Sequence, residues 1–325
     1  MPLATNHKFC VAPMMGRTDK HFRYFLRLMS AHTLLYTEMV AAPALLRGNK
    51  HNMLSFNAAE HPVGLQIGGS NPKDMALCAK IAEDYGYDEV NINVGCPSKR
   101  VNSGQFGACL FTNPQLVAEC VTAMLNEVNI PVTIKCRIGV DDYDEYIHLS
   151  NFVEVLGRAG CKSFIVHARK AILKEGFNPK QNRNIPTLNY PYVYRLKHDF
   201  PQYEMTINGG IETIEQAKGH LKKVDGVMLG RAIYRNPFIV FSVDEDIFND
   251  KTTATSKAEI LNQYINYIQD QTSGGEKITY LTRHLAGGML RGQKHAKLLR
   301  KTLHDEMREN KYPIAALRDI LSAAI

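Results

Sequence analysis

Cys96 stands in the run NINVGCPS, just after an apolar stretch and before a long connection to about Thr112. A thiol placed there can act as a nucleophile or a general acid. The commoner use of a free cysteine is as a small buried hydrophobe. The other cysteines are assigned to that bland role, with Cys109 the nearest exception because it shares the connection. A second group carries charge or movable protons: Lys135 and Arg137 in IKCR, and His167 and Arg169 in HAR. With Gln66, Asn91 and Asn93 they lie in or at the ends of short apolar runs. Packing alone would not choose them, because buried polar groups are costly unless partnered. A third group is glycine-rich: Asn208-Gly209-Gly210 and Gly230-Arg231.

These groups suggest anion chemistry. Glycines let backbone amides approach a phosphate, and Arg231 can add a bidentate contact. Either motif alone reads as a tight turn; two at matching positions favour a phosphate. Lys135 and His167 can set positive charge or donors beside an anion such as a reduced flavin, charged near N1 and the C2 carbonyl. Singly, His167 reads as a satisfied core histidine and Lys135 as a snorkelling strand lysine.

Eight short β-branched runs position these residues: Phe9–Met14, Leu34–Val40, Val63–Gly69, Glu89–Gly95, Val132–Gly139, Ser163–Ala168, Glu204–Gly209 and Gly226–Gly230. Continuous apolar runs such as SFIVHA suit parallel strands buried on both faces. Amphipathic segments alternate with them. Thr18 is read as the cap of a helix to Ser30, Asn71 as the cap of one to Tyr85, and Asn113-Pro114 as another helix start. The pattern predicts an α/β fold, a (β/α)8 TIM barrel over residues 1–248, followed by a small helical domain over 249–325 with four helices, near Lys257–Gln271, Glu276–Met289, Lys294–Glu309 and Pro313–Ala324. The candidate residues then fall at strand ends on the barrel's carboxyl face, where active sites sit. Two connections, after Cys96 and after Arg169, are long enough to be binding loops.

Composition removes other classes. The chain has 325 residues, 45% hydrophobic and 22% charged, which is ordinary for a globular protein. No apolar stretch reaches ~18 residues, and the start lacks a signal-like apolar core. Seven cysteines, an odd number without CxxC spacing, read as reduced thiols in a cytoplasmic protein with no metal framework. GxGxxG, Gly-Lys, HExxH and GxSxG are absent. The net charge of +7 is modest, but Arg283 to Lys301 holds six Lys or Arg and no acid. Lys294, Lys297 and Lys301 share one helical face, a candidate for contact with a phosphate backbone.

The segments APMM (Ala12–Met15), LQIGG (Leu65–Gly69), NINVGCPS (Asn91–Ser98), VNSGQFGACL (Val101–Leu110), IKCRIG (Ile134–Gly139), HAR (His167–Arg169), INGGI (Ile207–Ile211) and MLGRAIYRNP (Met228–Pro237) run in order across nearly the whole chain. In them the sequence resembles the tRNA-dihydrouridine synthases, most closely the bacterial A-type. Gly16-Arg17 departs from the acidic or aromatic pair that relatives often carry, which bears on the rim of the site.

The resemblance implies FMN at the barrel mouth, NADPH as reductant and a helical domain that holds tRNA. It implies that Pro13, Met14 and Met15 line the flavin and Gln66 hydrogen-bonds its ring. Lys135 and His167 would contact the ring and ribityl region, and Asn208, Gly209, Gly210, Gly230 and Arg231 the phosphate. Cys96 matches the family's proton donor, and Asn93 a contact to the target base or its neighbourhood. Lys180, Arg183, Lys297 and Arg300 match tRNA contacts. The implied reaction passes hydride from flavin N5 to uracil C6 and a proton from Cys96 to C5. The substrate would be a D-loop uridine, at positions 20 and 20a by the A-type resemblance, flipped out of its stack. A monomer is expected. The rivals are a small-molecule pyrimidine flavoenzyme of the dihydroorotate dehydrogenase kind, and an RNA-binding module on a relic barrel. The basic C-terminal stretch argues against the first, and retention of Cys96, Lys135 and His167 against the second.

Overall fold

Nine short strands share one parallel sheet: β1 (Phe9–Val11), β2 (Leu34–Tyr36), β3 (Val40–Ala41), β4 (Val63–Gly68), β5 (Glu89–Val94), β6 (Val132–Arg137), β7 (Ser163–His167), β8 (Glu204–Asn208) and β9 (Gly226–Leu229). The computed structural model describes residues 5–174, 177–251 and 256–285, together with Leu290, Lys301 and Arg318. β1 pairs with β9 on one side and β2 on the other, and β2 pairs with β4, which closes the sheet. β2 and β3 both lie against β4, so they are two pieces of one barrel strand. The expected eight-stranded barrel is therefore present, with its second strand interrupted at residues 37–39. The interruption has a local cause. Thr37 turns its hydroxyl to accept the Gln66 amide at 3.1 Å, and Glu38 accepts hydrogen bonds from the Gly16 and Arg17 amides.

The outer helices follow their caps. Asn71 accepts from the Asp74 amide at the head of the helix Pro72–Asp84, and Asn113 from that of Leu116 at Pro114–Leu125. Each has proline in the first turn, where no amide donor is needed. The first helix corrects the sequence reading. Asp19, not Thr18, caps Lys20–Arg27, and the Thr18 hydroxyl instead accepts the Met14 amide at 2.9 Å. A carboxylate at the cap gains from the positive end of the helix as well as from its hydrogen bond.

Two apolar layers result. The larger fills the space between sheet and helices. A smaller cluster of Cys10, Ala12, Leu34, Tyr36, Ile165 and Met228 fills the barrel lumen. The larger layer also takes in Ile260, Leu261, Tyr264 and Leu281 from the helices Lys257–Ser273 and Ile278–His284. Those are the first two of the four expected C-terminal helices, the second described only to His284. The other two, near 294–309 and 313–324, lie outside the described residues, Lys301 and Arg318 aside. No helix among the described residues is long and apolar enough to cross a membrane.

Polar contacts fix the C-terminal helices against the barrel. Asp19 accepts from His284 Nε2 at 2.9 Å and pairs with Arg283, Lys20 meets Glu276 at 2.5 Å, and Tyr24 stacks on Tyr267 at 3.9 Å. Burial opposes the Asp19 charge, but His284, the Phe22 amide and Arg283 hold its carboxyl well below the ordinary range. A depressed acid stabilises the fold above its unfolded value of ~3.9 and loses that contribution as pH falls below it. Asp19→Asn keeps a cap but loses the charge pairing. It is expected to cost about 2 kcal/mol at neutral pH and to flatten the fall in stability below pH ~4. Urea unfolding of both proteins between pH 3 and 7 measures this; parallel curves would refute it.

Candidate active site

A cavity of about 1280 Å³ opens where the strands end, lined from every part of the barrel and by Glu276, Tyr280 and Arg283 of the C-terminal segment. Among the sequence-selected residues, Pro13, Met14, Met15, Gln66, Asn93, Cys96, Lys135, His167, Arg183, Asn208, Gly209, Gly210, Gly230 and Arg231 all line it. Met15 stands 64% exposed, so it belongs to the mouth. Lys180 is exposed but does not line the cavity, and Lys297 and Arg300 lie outside the described residues.

The floor is cationic. Lys135 Nζ donates to Asn208 Oδ1 at 2.9 Å, and Asn208 Nδ2 donates to the Met228 carbonyl at 2.7 Å, which orients the amide. Lys135 has no carboxylate partner among the described residues. Burial, with Arg137 adding repulsion, brings its ammonium down to about 8. Burial and the cations Arg137 and Lys135 hold His167 well below its usual range, so the ring is neutral. His167 Nδ1 is buried without a partner. Four carboxylates line the cavity, and all are engaged: Asp19 with His284, Glu38 with the Gly16 and Arg17 amides, Glu212 with Arg235, and Glu276 with Lys20. An unpaired cation at the floor with no free acid beside it attracts an anion.

One corner is shaped by glycine. Gly209 and Gly210 have φ of +113° and +72°, a region that side chains disfavour. A Cβ on Gly210 would lie 2.6 Å from Leu188 and 2.9 Å from the Tyr190 hydroxyl. A side chain at Gly210 would collide with Leu188 and Tyr190, so only glycine fits this cradle. Arg231 stands at its edge, Nη1 donating to Asn184 Oδ1 at 3.0 Å. A corner that admits only glycine, a floor cation without a counter-ion among the described residues and an orphaned His167 nitrogen together suit a phosphate-bearing cofactor with an anionic ring. The residues fit FMN.

Cys96 is held by main-chain contacts. Asn93 Oδ1 accepts from the amides of Gly95 and Cys96 at 3.1 and 3.0 Å, and the Ala108 amide donates to the Cys96 carbonyl at 3.0 Å. The SGQFGACL segment explains itself here. Gly107 (φ +79°) passes so close that a Cβ would lie 2.7 Å from the Cys96 carbonyl oxygen. The long connection is therefore built, with a short helix at Lys99–Ser103 and a 3-10 turn at Gly107–Thr112. The Cys96 thiol is half-buried, 3.6 Å from Ser98 Oγ. Cys109 is also half-buried, but its thiol turns to the Phe106 carbonyl at 3.2 Å and burial pushes it up. The other five are buried.

Two findings went beyond the sequence reading. Asn93 is buried, its oxygen committed to the Cys96 turn and one N–H to Gln66. It is therefore first a support for the thiol. Arg17, whose guanidinium lies 4.6 Å from the Tyr234 ring centre, lines the mouth with Tyr280 and Arg283. The unusual Gly16-Arg17 pair was the available signal for it.

The family model described as dihydrouridine synthase (Dus) matches residues 10–325. A tRNA-dihydrouridine(20/20a) synthase of Synechocystis is 52% identical, over 91% of this chain and 88% of its own. The protein of that name from Escherichia coli K12 is 49% identical, over 98% of this chain and 90% of its own. A solved 2-naphthoyl-CoA reductase complex shares the fold, with a TM-score of 0.57 and 9% identity, over 73% of this chain and 50% of that one.

Proposed function

The chain belongs to the dihydrouridine synthase family, and from that premise we propose that it reduces D-loop uridines of tRNA, at positions 20 and 20a, using FMN and NADPH. The observation that carries the reading is that one cavity holds both an acid-free cationic floor and the Cys96 thiol. Bound FMN supplies the hydride that NADPH brings and uracil C6 receives. Asn208, Gly209, Gly210, Gly230 and Arg231 would hold its phosphate, and Pro13, Met14, Met15, Gln66, Lys135 and His167 the ring and its chain.

The protein's own part is to hold charge and a proton. Lys135 places a positive charge beside the flavin, and neutral His167 offers a hydrogen bond without adding a second. The Cys96 thiol gives its proton to C5 of the reduced ring, and the thiolate regains one from solvent. Uracil thus gains one hydride and one proton. The base must leave its stack to reach the cavity, which costs a few kcal/mol and least in a loop. Arg183 and Asn93, which line the same cavity, are assigned to the incoming nucleotide.

We take residues 1–248 as the catalytic barrel and 249–325 as the tRNA-holding unit, in a monomeric cytoplasmic protein. Lys180, Lys297 and Arg300 are assigned to phosphate contacts. Lys297→Glu with Arg300→Glu is expected to weaken tRNA binding by tenfold or more, to lower the salt slope by about 2, and to leave flavin bound. Anisotropy titrations at several salt concentrations measure this; loss of flavin instead would assign the pair to folding.

The decisive experiment incubates the protein with NADPH and tRNA lacking dihydrouridine, then maps two-hydrogen mass gains on nuclease fragments. Gain confined to the fragment holding positions 20 and 20a is expected. Gain elsewhere in tRNA would overturn the positions, and NADPH oxidation driven only by a free pyrimidine would overturn the substrate.

A further inference from the structure

A line of hydrogen bonds crosses the barrel lumen from the Cys96 turn to the opposite end of the barrel. The Gly95 and Cys96 amides donate to Asn93 Oδ1. Asn93 Nδ2 donates to Gln66 Oε1 at 2.8 Å, and Gln66 Nε2 to Asn91 Oδ1 at 2.8 Å. Asn91 Nδ2 donates to Thr133 Oγ1 at 2.9 Å, and the Thr133 hydroxyl to Glu89 Oε1 at 2.8 Å. Glu89, Asn91 and Asn93 alternate along β5, so all three face the lumen, with Gln66 and Thr133 beside Asn91 in register. All five side chains are buried.

The line has one direction, and both ends impose it. Backbone amides at the upper end can only donate. Glu89 at the lower end, ionised, can only accept. It also accepts from Tyr36 Oη at 2.5 Å and from His7 Nε2 at 2.7 Å. Burial works against its charge, but His7 and these donors hold its carboxyl below the ordinary range. His7 lies 2.7 Å from Glu204 as well, and the two acids push it up to about 10. Between fixed ends, each amide has one satisfactory orientation, and a reversal at any link would set donor against donor. The remaining N–H of Gln66 and that of Asn93 are then the groups left over for the cavity that both residues line.

We propose that Thr133 and Glu89 are positioning residues that set the amide orientations of Gln66 and Asn93, and through Asn93 the turn that carries Cys96. Neither lines the cavity. Neither touches a reacting atom. Their effect reaches the site only through the amide line. Part of this rests on the FMN reading above, because Gln66 matters to a flavin; the effect on Cys96 does not.

The test uses the full-length protein with Thr133→Val, Thr133→Ser and Tyr36→Phe. Valine keeps the shape of threonine but cuts the line. Serine keeps the hydroxyl. Tyr36→Phe removes a hydrogen bond to the same Glu89 oxygen without breaking the line, and controls for a loosened core. Two quantities are read: the alkylation rate of Cys96 by iodoacetamide without flavin, from peptide masses, and the Kd for FMN. Thr133→Val is expected to speed Cys96 alkylation and raise the FMN Kd, each roughly five- to tenfold. Serine restores both, and Tyr36→Phe changes neither by more than about twofold. Wild-type values in Thr133→Val, or equal shifts in Thr133→Val and Tyr36→Phe, would overturn the proposal. Should the valine variant not fold, Thr133→Ala cuts the line at the same link, and the same two quantities decide. If the unmodified protein binds no FMN, the cofactor reading fails, and the alkylation rates still decide this one.

Discussion

Cys96→Ala is expected to lose about 10²- to 10⁴-fold in turnover on tRNA while binding FMN and oxidising NADPH as before. The span is that of a positioned general acid. The structure makes the substitution clean. The turn is held through the amide and carbonyl of residue 96 and through Asn93, none of which alanine removes. The side chain is half-buried against Ser98, so its loss leaves no large void. Cys109, with its thiol turned to the Phe106 carbonyl, is not placed to substitute. Anaerobic single-turnover experiments separate the two half-reactions. Reduction of flavin by NADPH should keep its rate, and reoxidation by tRNA should slow. Wild-type reoxidation would remove Cys96 from the chemistry.

The second large effect concerns Lys135. Its ammonium has Asn208 as its one hydrogen-bond partner and no carboxylate within reach among the described residues. A unit charge ~4 Å from a developing anion, at an effective dielectric of ~20, is worth about 4 kcal/mol, and water entering the cavity reduces that. Lys135→Met is therefore expected to lower the two-electron flavin potential by roughly 30–90 mV, taking 30 mV as about 1.4 kcal/mol. The pH dependence has a definite sign. With the empty site's ammonium at about 8, FMN affinity should be greatest below that pH and decline as Lys135 deprotonates above it. The methionine variant should bind more weakly and lack this decline. Spectroelectrochemistry and titrations between pH 6.5 and 9.5 measure both. An unchanged potential would mean that Lys135 faces another group.

The strands and most caps were legible because their signals are local. GVML and the FIV centre of SFIVH are unbroken apolar runs because both faces of a parallel strand are covered. Asn71 and Asn113 each precede a proline that suits a first helical turn. Thr18 misled because Thr18 and Asp19 are both cap formers, and the choice fell to contacts with Arg283 and His284, some 264 residues away. The break after Tyr36 was hidden for a like reason: Thr37 bonds to Gln66 and Glu38 to a loop before the first helix.

By itself the sequence determined the barrel, its carboxyl-end residues and the motifs that mark the family. Residue type and short-range spacing encode these, since hydrophobic period, caps and glycine runs act within a few residues. The tertiary structure alone decided which polar residues face the cavity and which serve the lumen. Asn93, which the resemblance matches to a base contact, lines the cavity and also accepts from the Cys96 amide; Glu89 and Thr133, unremarked in the sequence, end the hydrogen-bond line that reaches it. An amide's orientation depends on what its distant partners can donate or accept, and chain closure into a barrel, not local sequence, brings those partners together.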